Sequence, residues 1–402
     1  MNLKHIISPK KIILITVFMD VVGIGLVVPV LPFYIESFGL GAGSITAIFT
    51  SYAIFSFLSS PILGALSDRK GRRPILLVSL FSTAVGWLVF AFTQSVLGLY
   101  LGRIIDGIAA GNISTAQSYL IDISKDDKDR AKNLGLIGAV FGIAFIVGPL
   151  IGGILSKIYL PLPFIVVGIL ASVNTILAFF FLPETHHDRN TSKMSFNPFK
   201  PIIKAFKSKS LTPLYLSWML FGIAVTTNQS VFALYLKEEF NWGVLASGLM
   251  MTIVGIIISL NQAFFIRKFW LKRYTESYLN LYILIPFALS YVLMGLPYKG
   301  IFIVGLVLSA IGHSVLRVTM TSQTVAQAPK HEQGEVTGVM MSLMSLAMII
   351  GPTAGGFLYV FGVNFPYFLS AVIILIMFFM TYALQFYMKK KQHIDIPPVE
   401  AI

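Results

Sequence analysis

Twelve apolar runs of about 20 residues each leave this chain few ways to fold. They lie near 12–35, 46–66, 74–93, 98–122, 133–156, 162–182, 211–236, 244–266, 275–296, 301–325, 335–359 and 364–387. A run of that length spans the hydrocarbon core of a bilayer as a helix, because lipid offers no partners for free backbone N–H and C=O groups. Charged residues make up only 12% of the chain, about half the soluble norm. The first run follows Lys4, Lys10 and Lys11 and so imitates a secretion signal. It is too long for a signal core and lacks a small-x-small cleavage site, so it is read as the first span. The absence of cysteine excludes disulfides, thiolate metal sites and thiol nucleophiles.

The net charge of +13 is topological. With the N-terminus inside, twenty-five of the 30 Lys and Arg fall in the inner segments, and only Lys157, Lys237 and Lys299 in the outer loops. That asymmetry predicts cytoplasmic termini in a cell inner (plasma) membrane, and it removes any need for a nucleic-acid partner.

The chain repeats itself. Gly148-Pro149, Gly152-Gly153 and Pro163-Phe164 recur as Gly351-Pro352, Gly355-Gly356 and Pro366-Tyr367, all offset by 203 residues, as are Gly135 and Gly338. Between the halves lies the longest polar interruption, from Pro183 to Ser210. The predicted organisation is a six-helix bundle over 1–182, a cytoplasmic linker over 183–210 that is partly helical along the membrane surface, a second bundle over 211–388 and a cytoplasmic tail over 389–402. Parallel six-span repeats resemble the architecture of the major facilitator superfamily. The resemblance implies an all-α membrane protein, with twelve transmembrane helices in two pseudo-symmetric six-helix bundles and a site between them near the midplane.

Four motifs carry chemistry. The short loop from Gly64 through Asp68, Arg69, Lys70, Gly71, Arg72 and Arg73 to Pro74 matches the superfamily's cytoplasmic signature G-x-L-[SA]-D-R-x-G-R-[RK]-P in full. The resemblance implies a conformational latch. Asp68 would engage the end of a second-half helix when that side is closed, and Arg72 would pair with Asp122. The equivalent stretch Arg267 to Arg273 keeps the bases without an acid, so the latch is one-sided. In the fourth span Arg103 and Asp106 stand three apart, on one helix face, where they can touch each other or a common neighbour. Intramembrane charge is expensive and functional by default; a mutually neutralised structural pair is the alternative.

The fifth span carries Gly138, Gly142, Gly148, Pro149, Gly152 and Gly153, small residues that let helices approach closely around a proline kink. This string resembles the antiporter motif of drug:proton antiporters, which implies export. In the first span Asp20 precedes Gly23, Gly25, Pro29 and Pro32, closely resembling the first span of tetracycline/proton antiporters. A carboxylate at that depth is a candidate proton-exchanging group, and one hydrogen-bonded to a neighbouring helix is the alternative.

The chain departs from tetracycline exporters in having no acid in the third span. The tenth span instead presents His313 and Arg317 four apart on one face. Asn112, Gln117, Asn228, Gln229, Asn261, Gln262 and Gln323 are further candidates for substrate binding. About half are expected to face the cavity and the rest to bond between helices. For Arg317 the expected partner is Asp20 or Asp106 across the bundle interface, or the substrate itself.

The expected function is proton-coupled export of a small amphipathic, drug-like molecule by alternating access. Asp20, Asp106 and Arg103 would couple the proton. The partners are substrate, protons and membrane lipid; a monomer suffices, and neither cofactor nor metal is expected. A second reading is export of an anionic or carboxylate-rich metabolite or siderophore held by Arg103 and Arg317. A membrane enzyme would need clustered His, Asp or Glu ligands, and a sensor a soluble output domain; neither is found.

Overall fold

The computed structural model describes residues 8–185, 199, 202–203, 206, 208, 210–328 and 333–394. Most of the expected linker, Lys4 and the last eight residues of the expected tail lie outside them.

In the first half the long helices are α1 (Pro9–Val27), α2 (Ala42–Lys70), α3 (Arg72–Phe92), α4 (Val96–Asp122), α5 (Asp127–Ile158) and α6 (Leu162–Phe181). The second half contains α7 (Thr212–Phe240), α8 (Val244–Arg273), α9 (Glu276–Met294), α10 (Lys299–Ala326), α11 (Gln333–Tyr359) and α12 (Phe365–Ile394). Among the described residues eleven of them are long and apolar enough to cross a membrane. The twelfth, α1, carries Lys10, Lys11 and Asp20 within 19 residues, and a short helix, Leu31–Glu36, prolongs it. The last helix runs on to Ile394, beyond the expected start of the tail at 389, because 389–391 is a lysine run with good helix propensity.

Each bundle is closed at the end remote from the basic loops by aromatic packing. Tyr34 lies 4.8 Å from Phe164 in the first, and Tyr235 lies 4.5 Å from Tyr367 in the second, centroid to centroid. Phe164 and Tyr367 are equivalent positions of the repeat, so the two cores are built from corresponding residues.

The repeated glycines explain how the bundles meet. A methyl group at Gly148 would stand 2.8 Å from the Gly25 Cα of α1, and one at Gly152 would overlap the Leu26 carbonyl. The next residue, Gly153, points the other way, against Leu245 of α8. In the second half Gly351 and Gly355 press on Thr226, Thr227 and Ser230 of α7, while Gly356 presses on Thr46 of α2. So α5 and α11 each bind one helix of their own bundle and one of the other, giving two related seams, α5–α8 and α2–α11.

The seams are zipped over part of their length only. Gly142 meets Ser259, Gly255 meets the Phe145 carbonyl, and Thr252 donates to the Ile146 carbonyl at 3.2 Å. Towards the basic loops, Gly64 of α2, Gly135 and Gly138 of α5 and Gly338 of α11 face open space within 4 Å. Gly138 is therefore not a packing glycine in this conformation, unlike the rest of its motif. At the far end Thr50 and Thr353 share a 3.2 Å hydrogen bond, and Lys237 Nζ reaches Glu36 Oε1 at 2.5 Å, both across the halves. The cavity between the bundles opens towards the basic loops and is shut at the opposite end.

Candidate functional site

Helix α4 is interrupted at 109–111, just after Arg103, Asp106 and Gly107. Gly107 lets α4 lie against the Tyr52 carbonyl of α2, and Gly111 fits under Leu63 and Ser79. Ser59 and Ser82 donate to the Gly107 and Ile105 carbonyls at 2.9 and 2.5 Å, satisfying backbone at the break. This turns Asn112, the first residue of the second segment, towards α1 and α3.

Around the break sits a polar cluster in the first bundle. Arg103 Nη2 donates to Asp106 Oδ2 at 3.0 Å, both residues being 6% exposed. The guanidinium lies 3.5 Å from the Trp87 ring centroid and 5.3 Å from that of Tyr52, so stacking as well as the ion pair compensates its burial. Asn112 Nδ2 donates to Thr83 at 3.1 Å, while its Oδ1 is buried without a donor. Asp20 faces this cluster from α1, with the Asn112 amide in reach and Asp106 near. Among the described residues Asp106 has a cation and Asp20 has none. The two alternatives for Arg103 and Asp106 resolve as direct contact.

In the second bundle His313 and Arg317 lie one turn apart on α10. The His313 ring is 5.3 Å from Phe221 of α7, and Arg317 is exposed with no ion pair among the described residues. In this conformation Asp106 is held by Arg103, and among the described residues neither Asp106 nor Asp20 forms an ion pair with Arg317.

The amide candidates differ in their surroundings. Asn261 donates to Ser314 at 2.5 Å and accepts from Trp270 Nε1 at 3.0 Å, and it opens a π-helical run, Asn261–Trp270. Gln323 accepts from Asn280 at 2.5 Å and donates to Ser277 at 3.3 Å. These two hold α8, α9 and α10 together in this structure. Gln117 is half-buried, Gln229 and Gln262 are exposed, and Asn228 has its Nδ2 buried without a partner.

At the basic loop Arg72 holds both acids, Asp68 at 2.5 Å and Asp122 at 3.0 Å. Asp68 turns to Arg72 rather than to a second-half helix, as an open basic end requires. Arg73 donates to the Phe179 carbonyl at 2.6 Å. Sequence reasoning missed Glu184, which accepts from the backbone N–H groups of Arg72 and Arg73 at 2.9 and 3.1 Å and so caps α3. It also missed Tyr52, Thr83, Trp87 and the Glu36–Lys237 pair. The only local sign was Glu184 within Pro183-Glu184-Thr185, beside the end of α6.

The family model described as Major Facilitator Superfamily matches residues 13–352 and 281–400. The tetracycline resistance protein, class C, of Escherichia coli is 32% identical over 350 residues, covering 85% of this chain and 87% of that protein. The quinolone resistance protein NorA of Staphylococcus aureus is 27% identical over 361 residues, covering 88% and 90%. Among solved structures, the human organic anion transporter MFSD10 (TETRAN) superposes with a TM-score of 0.71 at 22% identity, covering 92% of this chain and 98% of that one. That likeness speaks for the fold alone. With both bundles, the repeated seams and most of the length accounted for, the chain belongs to the Major Facilitator Superfamily.

Proposed function

We propose that the protein is a proton-coupled exporter of small amphipathic, drug-like molecules, working by alternating access between its two bundles. Relatives named for tetracycline and quinolone resistance support the substrate class. Under the positive-inside rule the basic end is cytoplasmic, so the cavity described above is open to the cytoplasm and ready to load. Both termini then lie in the cytoplasm, and a single chain holds the whole cavity.

The observation that carries the coupling is the unequal treatment of two neighbouring carboxylates. Asp106 is tied to Arg103, whereas Asp20 has only the Asn112 amide in reach. Asp20 is the group left to exchange a proton, and the undonated Asn112 Oδ1 is an acceptor for its O–H once it is protonated. Asp106 and Arg103 keep the cluster rigid around it. A proton taken up from outside then accompanies the return of the empty carrier, and its release to the cytoplasm leaves the form that loads substrate. The inner-loop network of Asp68, Arg69, Arg72, Arg73 and Asp122 acts as the cytoplasmic latch of the opposite state.

The test is transport in everted membrane vesicles with an imposed pH gradient. Asp20→Asn is expected to insert and fold normally and to lose gradient-driven accumulation. If the Asn variant still concentrates substrate against a gradient, the proton site lies elsewhere.

A further inference from the structure

The second bundle holds a cation that has no ion pair or ring contact among the described residues. Arg317 projects from α10 nine residues before its end, about 14 Å from the basic side. It is exposed at a depth where contact with lipid would be costly, so its guanidinium stands in the water of the cavity. The acids packed near α10 are otherwise engaged or remote. Glu276 accepts from Ser322 at 2.7 Å, Asp106 is held by Arg103, and among the described residues Asp20 forms no ion pair with Arg317. The other intramembrane cation, Arg103, is both paired and stacked. Arg317 is neither. Beside it His313 and Phe221 offer an aromatic wall, their rings 5.3 Å apart.

A planar guanidinium with free donors matches a carboxylate or a similar planar acid in two-pronged fashion. We infer that Arg317 is a binding site for the acidic group of the exported molecule, whose aromatic body lies against His313 and Phe221. The inference rests on the export reading above and narrows its substrate class to acid-bearing aromatic amphipaths. It also gives the cavity a polarity. The first bundle presents the carboxylate of Asp20 and the second the guanidinium of Arg317, so a zwitterion has a counter-charge on each wall.

The experiment uses a quinolone carboxylic acid and its methyl ester as probes, with equilibrium binding to purified wild type, Arg317→Gln and Arg317→Lys. Wild type is expected to prefer the acid by about tenfold or more. The Gln variant loses that preference while its affinity for the ester stays within about twofold; Lys, which keeps the charge but not the fork, recovers part of it. An unchanged preference in Arg317→Gln overturns the inference. Equal weakening of acid and ester in that variant also overturns it, since a group that pairs with the protein in another state affects all ligands alike. Gradient-driven accumulation of both probes in vesicles, read separately, tests the export reading. Accumulation with selectivity independent of Arg317 refutes the site and keeps export. Arg317-dependent selectivity without accumulation does the reverse.

Discussion

Replacing Lys237 by Gln removes the charged bond that joins the two bundles at the closed end. The pair is short, 2.5 Å, and its side chains are 39% and 35% exposed. By itself a pair so open to solvent contributes about 0.2–1 kcal/mol. Glu36 Oε2, however, is already buried without a partner, so the variant strands a half-buried carboxylate and adds a desolvation cost of about 1 kcal/mol. The sum, about 1–2 kcal/mol, falls only on the state in which this end is closed. It shifts the balance towards the opposite state by about 5–30-fold. The chain has no cysteine, so single cysteines report without interference. A cysteine at Thr46, buried under Gly356 in the closed seam, is expected to label faster in Lys237→Gln. One at Gly138, which faces open space, is expected to label more slowly. The exchange Glu36→Lys with Lys237→Glu restores both rates, and high salt weakens the wild-type effect. Labelling that is unchanged at both positions, or a swapped pair that behaves like the single variant, refutes the reasoning.

Further outcomes follow from the buried cluster and the seams. Asp106→Asn leaves Arg103 buried without its counter-ion, a loss of about 3–5 kcal/mol that shows as a lower melting temperature in detergent, with or without substrate. Gly152→Ala drives a methyl into the Leu26 carbonyl and costs about 1–3 kcal/mol in the same assay. Asp20→Asn, in contrast, leaves the melting temperature near wild type while abolishing gradient-driven transport.

The architecture was legible because lipid makes it so. Uninterrupted apolar runs have one way to satisfy their backbone, and a 203-residue repeat carries its own symmetry. Arg103, Asp106 and Asp20 stood out for the same reason, as charges where charge is costly. What stayed hidden was partnership. Glu36 and Lys237 are 201 residues apart and look like ordinary loop charges. Tyr52 and Trp87 read as two more aromatics in apolar helices until Arg103 stacks on them. Asn261 and Gln323 have the composition of ligand-binding amides, and only the positions of Ser314, Trp270, Asn280 and Ser277 reveal that they are internal ties.

Of the glycines with open space beside them, Gly64, Gly135, Gly138 and Gly338 sit on seam helices towards the basic loops, where the bundles have parted. Helix approach is already possible there, since small residues continue beyond the stretch now in use. Each seam is a zipper longer than its closed part, and closing one end while opening the other exchanges one set of small-residue contacts for another. Rocking therefore moves the point of contact along the helices with little net change in packed surface. A proton and a substrate, each contributing only a few kcal/mol, are enough to tip a balance poised in that way.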